Sequence, residues 1–189
     1  MSLLVLSMQV SLDGRIAGPN GEFDWPKVGV ELLGYFNDQV RNASSFVYGR
    51  RMFQEMAEFW PTADVNPIST APMVDYARIW RPMPKIVFSD SLPAADFNTR
   101  VVPEQKITDE INELRAQRGG PHVFYGGAKS AATLMALDLI DEYWLFVHPV
   151  VLGGGPRLFD DLPNRITLEL AESATFPGDA LHLRYRAIH

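Results

Sequence analysis

Apolar and polar positions change their spacing along the chain, and each change marks a new element. Leu3 to Val10 is a largely apolar run of strand length, continued through the turn Leu12-Asp13-Gly14-Arg15-Ile16-Ala17-Gly18 to a loop at Pro19-Asn20-Gly21. Val28, Leu32, Phe36 and Val40 then recur every four residues, with Leu33 alongside, which predicts one face of a helix. Phe46-Val47-Tyr48 predicts a short strand leading into Gly49-Arg50-Arg51, and Met52, Phe53, Met56 and Phe59 predict a second helix ended by Trp60-Pro61. Pro61 to Pro84 carries five prolines and no clean period, so it reads as a long connection with one helix around Met73 to Trp80. Strands are predicted at Lys85–Ser89, Arg100–Val102 and His122–Tyr125. Ile107, Ile111 and Leu114 mark the helix before the last of these, and Ala131, Leu134 and Met135 the helix after it. Three strand candidates close the chain: Glu142–Val147, Ile166–Phe176 and Ala180–Ile188. In the last, Leu181, Leu183, Tyr185 and Ala187 are expected inward and His182, Arg184 and Arg186 outward.

Strand–helix alternation followed by strands alone predicts an α/β fold, mostly parallel, with antiparallel strands at the C-terminal end. In such sheets ligands bind at the carboxyl ends of the parallel strands. The loops to watch are therefore Gly49-Arg50-Arg51, Ser89-Asp90-Ser91 and Gly126-Gly127-Ala128-Lys129-Ser130.

Composition narrows the function classes. A chain of 189 residues is expected to be a single domain spanning 1–189, large enough to fold without a staple. The absence of cysteine removes thiolate nucleophiles and cysteine-bearing zinc sites, and it fits a cytoplasmic protein. A net charge of -6 and a pI near 5.2 argue against nucleic acid, which is held by clustered Lys and Arg. The apolar start has neither a basic flank nor a cleavage signal, and Tyr143–Leu152 is too short to cross a bilayer, so no membrane role is expected. His122, His148, His182 and His189 form no ligand-spaced cluster, so no metal is expected. His148, ahead of Pro149, reads as structural.

Gly49-Arg50-Arg51 and Gly126-Gly127-Ala128-Lys129-Ser130 share one physical design. A strand ends at glycine, a helix begins, and a cation stands close by. Free N–H groups and a partial positive charge at a helix start suit a phosphate, and glycine lets it approach the backbone. One such loop is more often a plain turn. Two on the same edge point to a ligand with two separated phosphate groups, such as a dinucleotide, although neither the Walker A nor the spaced-glycine fingerprint is present. The run Leu152-Gly153-Gly154-Gly155 reads equally well as a wide loop or as part of a site.

Five segments in order carry a resemblance. They are Ser11–Gly18, Gly49–Phe53, Phe124–Ala128, Leu139–Glu142 and His148–Gly155. Together they resemble the RibD C-terminal-domain-like proteins of the dihydrofolate reductase superfamily, over nearly the whole chain. The resemblance implies a dihydrofolate-reductase-like mixed sheet of about eight strands flanked by helices, an NADPH cofactor and a homodimer. It implies that Gly49, Arg50 and Arg51 hold the 2′-phosphate and pyrophosphate, that Ser89 lies near the ribose phosphate, and that Gly126, Gly127, Ala128, Lys129 and Ser130 lie under the pyrophosphate. It places Ile16, Ala17 and Gly18 along the nicotinamide and Asp24 and Trp25 on the substrate side. Leu152, Gly153 and Gly154 would line that side too. Asp90 departs from the family pattern, since a carboxylate beside a 2′-phosphate repels it.

The implied activity is an NADPH-dependent reduction of a small heterocycle, pterin-, pyrimidine- or flavin-related, or of a sugar adduct of one. Hydride transfer needs donor and acceptor held face to face and a proton source. Asp13 and Glu31 are the catalytic candidates, with Asp13 equally readable as a turn residue capping local N–H groups. The alternative function is a nucleotide-binding module without turnover, sensing NADPH or sequestering a pterin- or flavin-like ligand.

Overall fold

The computed structural model describes residues 1–160 and 162–188. His189, counted above among the histidines, lies outside the described residues. Among the described residues eight strands form one mixed sheet in the order β4-β3-β2-β5-β1-β6-β8-β7, accompanied by five α-helices. In chain order these are β1 (Leu4–Ser11), α1 (Val30–Val40), β2 (Ser45–Gly49), α2 (Arg50–Phe59), α3 (Ala71–Trp80), β3 (Lys85–Phe88) and β4 (Thr99–Val102). They are followed by α4 (Ile107–Ala116), β5 (His122–Tyr125), α5 (Ala128–Ala136), β6 (Glu142–His148), β7 (Leu168–Phe176) and β8 (Ala180–Ala187). The chain forms two compact units, one of Met1–Leu3 with Val30–Tyr125 and one of Leu4–Gly29 with Gly126–His189.

In the first unit β2 pairs in parallel with β3 and β5, and β3 with β4. β2, β3 and β5 are buried on both faces, as helix-covered parallel strands must be, whereas β4 is largely half-exposed. The core is aromatic. Tyr48 stacks on Tyr125 at 5.6 Å, and its hydroxyl accepts a 3.0 Å bond from the Trp80 indole N–H, so the buried phenol is not left unpaired. Asn37 ties α1 to α3 through bonds from its amide to the Pro72 carbonyl and the Asp75 carboxylate, both 2.9 Å. Lys85 is buried, and its ammonium donates to the carbonyls of Trp80, Met83 and Phe97. Three acceptors matched to three protons are what a buried ammonium requires. α1 starts at Val30, not at Val28. Val28 is exposed, in a turn closed by its own N–H to the Pro26 carbonyl.

In the second unit β1 pairs in parallel with β6, while β8 runs antiparallel to both β6 and β7. The alternation expected along β8 is reversed at its start, where His182 is buried and Leu181 exposed. The register explains this. His182 lies opposite Phe146 and stacks on its ring at 4.6 Å, and Arg184 lies opposite Trp144 with its guanidinium over the indole. The polar stripe of β8 covers the aromatic stripe of β6. Buried Glu142 completes this face. Its carboxylate accepts from Arg184 (2.7 and 3.1 Å), from the Trp144 indole (3.0 Å) and from Arg186 (3.4 Å).

Candidate functional site

The carboxyl end of β2 delivers Gly49, buried and extended, directly to the first residue of α2. No side chain caps that helix, so the N–H groups of its first turn are left for a ligand. Arg50 is exposed, and its guanidinium donates a 2.6 Å bond to the Ser91 hydroxyl. Ser89, buried at the end of β3, accepts from the N–H groups of Ser91 and Leu92 at 3.2 and 3.0 Å. A strand-end serine thus shapes the turn that presents Ser91 to Arg50. Arg51 instead pairs along the helix with Glu55 at 3.0 Å. Asp90 directs its carboxylate to the Glu104 N–H at 3.0 Å. Glu31 is exposed in the first turn of α1.

The strand–glycine–helix design recurs after β5. Gly126 is buried, and Gly127 is the extended residue before α5, again with no side-chain cap. A Cβ on Gly127 would meet nothing within 4 Å, so the space in front of this helix start is open. Lys129 is exposed, and Ala128 and Ser130 are half-buried in the first turn.

The turn after β1 is braced against the glycine run. Ser11 donates to Asp13 at 2.7 Å and accepts from the Arg15 N–H at 2.9 Å. Asp13 also accepts from the N–H groups of Leu152 and Gly153 and from the Arg15 side chain, each at 3.0 Å. The Ser11 hydroxyl, foremost, and the two loop N–H groups hold its carboxyl well below the usual carboxylate range. Arg15 reaches on to the Gly155 carbonyl, and Ile16 N–H bonds the Pro156 carbonyl at 3.0 Å. Gly155 has φ +94°, and a Cβ there would lie 2.1 Å from the Ala17 oxygen. Only glycine allows this approach, which fixes the path of Ile16, Ala17 and Gly18. Leu152, Gly153 and Gly154 are therefore one wall of a double loop. Asp13→Asn offers too few acceptors for these donors. Its expected result is hydrogen exchange at Leu152 and Gly153 faster by at least about tenfold, with strand amides unchanged.

Trp25 stands half-buried in the irregular segment that follows, in edge contact with Phe23 at 5.6 Å and with His148 at 5.8 Å, while Asp24 is exposed. His148 is buried, and its Nε2 lies 2.6 Å from Gln9 Oε1. Sequence reasoning missed Gln9, and it named the segments that hold Arg15 and Ser91 without giving either residue a role. A polar Gln9 inside an apolar strand was the one available signal. Among the described residues no cluster of three metal-ligating side chains occurs, and no helix is long and apolar enough to cross a membrane.

Glycine-ended parallel strands feed helices without side-chain caps, and an antiparallel hairpin extends the sheet. The family model of the RibD C-terminal domain matches residues 2–182, and the chain belongs to that family. The Bacillus subtilis (strain 168) protein YyaP is 32% identical over 182 residues, covering 96% of this chain and 93% of its own. A pyrimidine reductase-like protein from Corynebacterium diphtheriae shares the fold at a TM-score of 0.66 and 14% identity, covering 100% of this chain and 92% of that one. Dihydrofolate reductase from Enterococcus faecalis, solved with NADP(H), matches at 0.65 and 14% identity over 99% and 97% of the two chains.

Proposed function

We propose that the protein is an NADPH-dependent reductase that transfers a hydride to a small heterocycle, pterin-, pyrimidine- or flavin-related, or to a sugar adduct of one. The observation that carries this reading is the pair of uncapped helix starts behind strand-end glycines, one of them armed by Arg50 held on Ser91. In this reading Arg50, Gly49 and the Ser89–Ser91 turn take the 2′-phosphate end. Gly126, Gly127, Ala128, Lys129 and Ser130 take the pyrophosphate through backbone N–H groups and a lysine. Ile16, Ala17 and Gly18, braced by Gly155, form the strip against the nicotinamide.

When bound, reduced nicotinamide would supply a hydride from its C4, and a substrate C=N or C=O that accepts it would take one further proton at nitrogen or oxygen. Asp13 acts by positioning. Its carboxylate is held ionised by four donors, so it fixes the glycine loop without giving up a proton. Glu31, exposed in the first turn of α1, is the other candidate for the catalytic carboxylate. The fit of the residues to NADP rests on Asp90 as well. Its charge is turned to the Glu104 N–H, which relieves the repulsion that a carboxylate would exert on a 2′-phosphate.

Titration of the purified protein with NADPH and then NADH, followed by tryptophan quenching, tests the reading. Micromolar NADPH binding with weaker NADH is expected, and loss of reduced-nicotinamide absorbance on adding dihydrofolate, pterins, flavins or aminopyrimidine ribosides identifies turnover. No binding of either nucleotide removes the reductase. Binding without oxidation by any of these would favour the second reading, a nucleotide-binding module. That reading is motivated by Trp25, which packs against His148 on the proposed substrate side.

We further propose a homodimer through β7. This strand is outermost in the sheet and exposed along most of its length, with Leu170 53% accessible. A long, bare edge of this kind invites pairing. Light scattering at micromolar protein is expected to return about twice the 21.2 kDa chain mass, and a monomer mass overturns the proposal.

A further inference from the structure

Two buried polar atoms on the rings that meet beside the double loop have no hydrogen-bond partner: the indole Nε1 of Trp25 and Nδ1 of His148. Their chemistry is complementary. Gln9 Oε1 can only accept, so the proton of His148 sits on Nε2 at 2.6 Å, and Nδ1 presents a bare lone pair. The indole nitrogen carries a hydrogen and can only donate. The rings lie 5.8 Å apart at an interplanar angle of 81°, yet donor and acceptor do not bond each other. An unpaired buried donor or acceptor is costly, and two in contact are rare in a native structure. Trp25 belongs to a stretch, residues 19–29, without regular structure, and its closure over His148 gains apolar contact but satisfies neither atom.

We propose that Trp25 and His148 read the imide or lactam edge of a heterocyclic ligand. Ring N–H of the ligand donates to His148 Nδ1, and the adjacent carbonyl accepts from Trp25 Nε1. The 19–29 stretch closes over His148 without ligand and opens to admit that edge. Gln9 is a positioning residue, because it selects the tautomer that leaves Nδ1 as acceptor. Both groups are neutral, so the edge they select is neutral as well, an adjacent N–H and C=O of the kind found in uracil and pterin rings. The inference rests on the reductase reading for its place in catalysis, but the recognition pair is testable without turnover.

The test uses the full chain, 15N-labelled on histidine, with lumazine, uracil and 7,8-dihydropterin as probes. Without probe, His148 is expected to show a protonated Nε2 and an unprotonated Nδ1 free of hydrogen bonds. Lumazine is expected to move the Nδ1 resonance upfield as it accepts a bond. 1,3-Dimethyllumazine, which lacks both ring N–H groups, is expected to bind at least about tenfold more weakly and leave that resonance in place. Trp25→Phe keeps the ring and removes the donor, so it is expected to weaken lumazine by about tenfold without unfolding the protein. A protonated Nδ1, equal binding of the methylated probe, or an unmoved resonance with all three probes at millimolar concentration overturns the proposal. NADPH titration of the same sample is scored separately. Its failure removes the reductase reading and leaves the recognition pair to be judged on the probes.

Discussion

Glu142→Ala is expected to lower the unfolding free energy by about 3 kcal/mol, the low end of the cost of breaking a buried ion pair. Glu142 is 2% exposed and gathers Arg184, Arg186 and the Trp144 indole, so its removal leaves the indole N–H without its acceptor and leaves Arg184 the more distant Glu172 carboxylate at 3.8 Å. The Arg186 side chain is 60% exposed and recovers water, which is why the low end applies. For a chain of this size the melting temperature falls by roughly 6–12 °C, readable by calorimetry. Glu142→Gln, which keeps an acceptor for Trp144, should lose less. The pH dependence has a definite sign. Burial raises the Glu142 carboxyl, but bonds from Arg184 and Trp144 outweigh it and hold the group below its ordinary 4.5. Its contribution is therefore constant above about pH 5 and is lost as pH falls through the folded value. The gap between wild type and Glu142→Ala should narrow only below pH 4.5. His182 acts earlier. Burial pushes its imidazole down to about 4 from 6.5, so the unfolded chain takes the proton first and stability falls from pH 6.5 downward in both proteins. A gap that closes near pH 6 would show that Glu142 does not anchor this face.

Arg50→Ala is expected to weaken NADPH by roughly 10- to 100-fold, the worth of a charge-assisted bond to phosphate, and NADH by less than about threefold. Arg51→Ala serves as the internal comparison. Arg51 is engaged with Glu55 along an exposed helix face, whereas Arg50 is held toward the Ser89–Ser91 turn. Ser91→Ala should reproduce a fraction of the Arg50 effect, since it frees the guanidinium without removing its charge. Isothermal titration with both nucleotides separates these cases. Equal losses for NADPH and NADH in Arg50→Ala would show that this loop does not hold the 2′-phosphate.

Much of the architecture was readable from residue order. Strand-length apolar runs separated by helical periods place all eight strands and five helices within a few residues, because parallel strands buried on both faces write themselves as unbroken apolar runs. The strand–glycine–cation–helix pattern at Gly49-Arg50 and Gly127-Ala128-Lys129 was equally legible, since it is local chemistry within six residues.

What sequence could not supply were contacts made across long separations. The tie from Asp13 to Leu152 and Gly153 spans about 140 residues, and nothing in the local pattern distinguishes such an anchor from a turn residue or a proton donor. Tertiary structure supplies that contact, because the register of β1 on β6 brings Ser11 beside His148 and carries both following loops together. It also reversed the burial expected at the start of β8, where period-two alternation predicted Leu181 inward and His182 outward. The cross-strand partner Phe146 covers His182, while Arg186 stays exposed and Leu183, Tyr185 and Ala187 stay half-buried. Alternation in a sequence says that two faces differ. Which face is buried depends on what the neighbouring strand presents, and only pairing settles it.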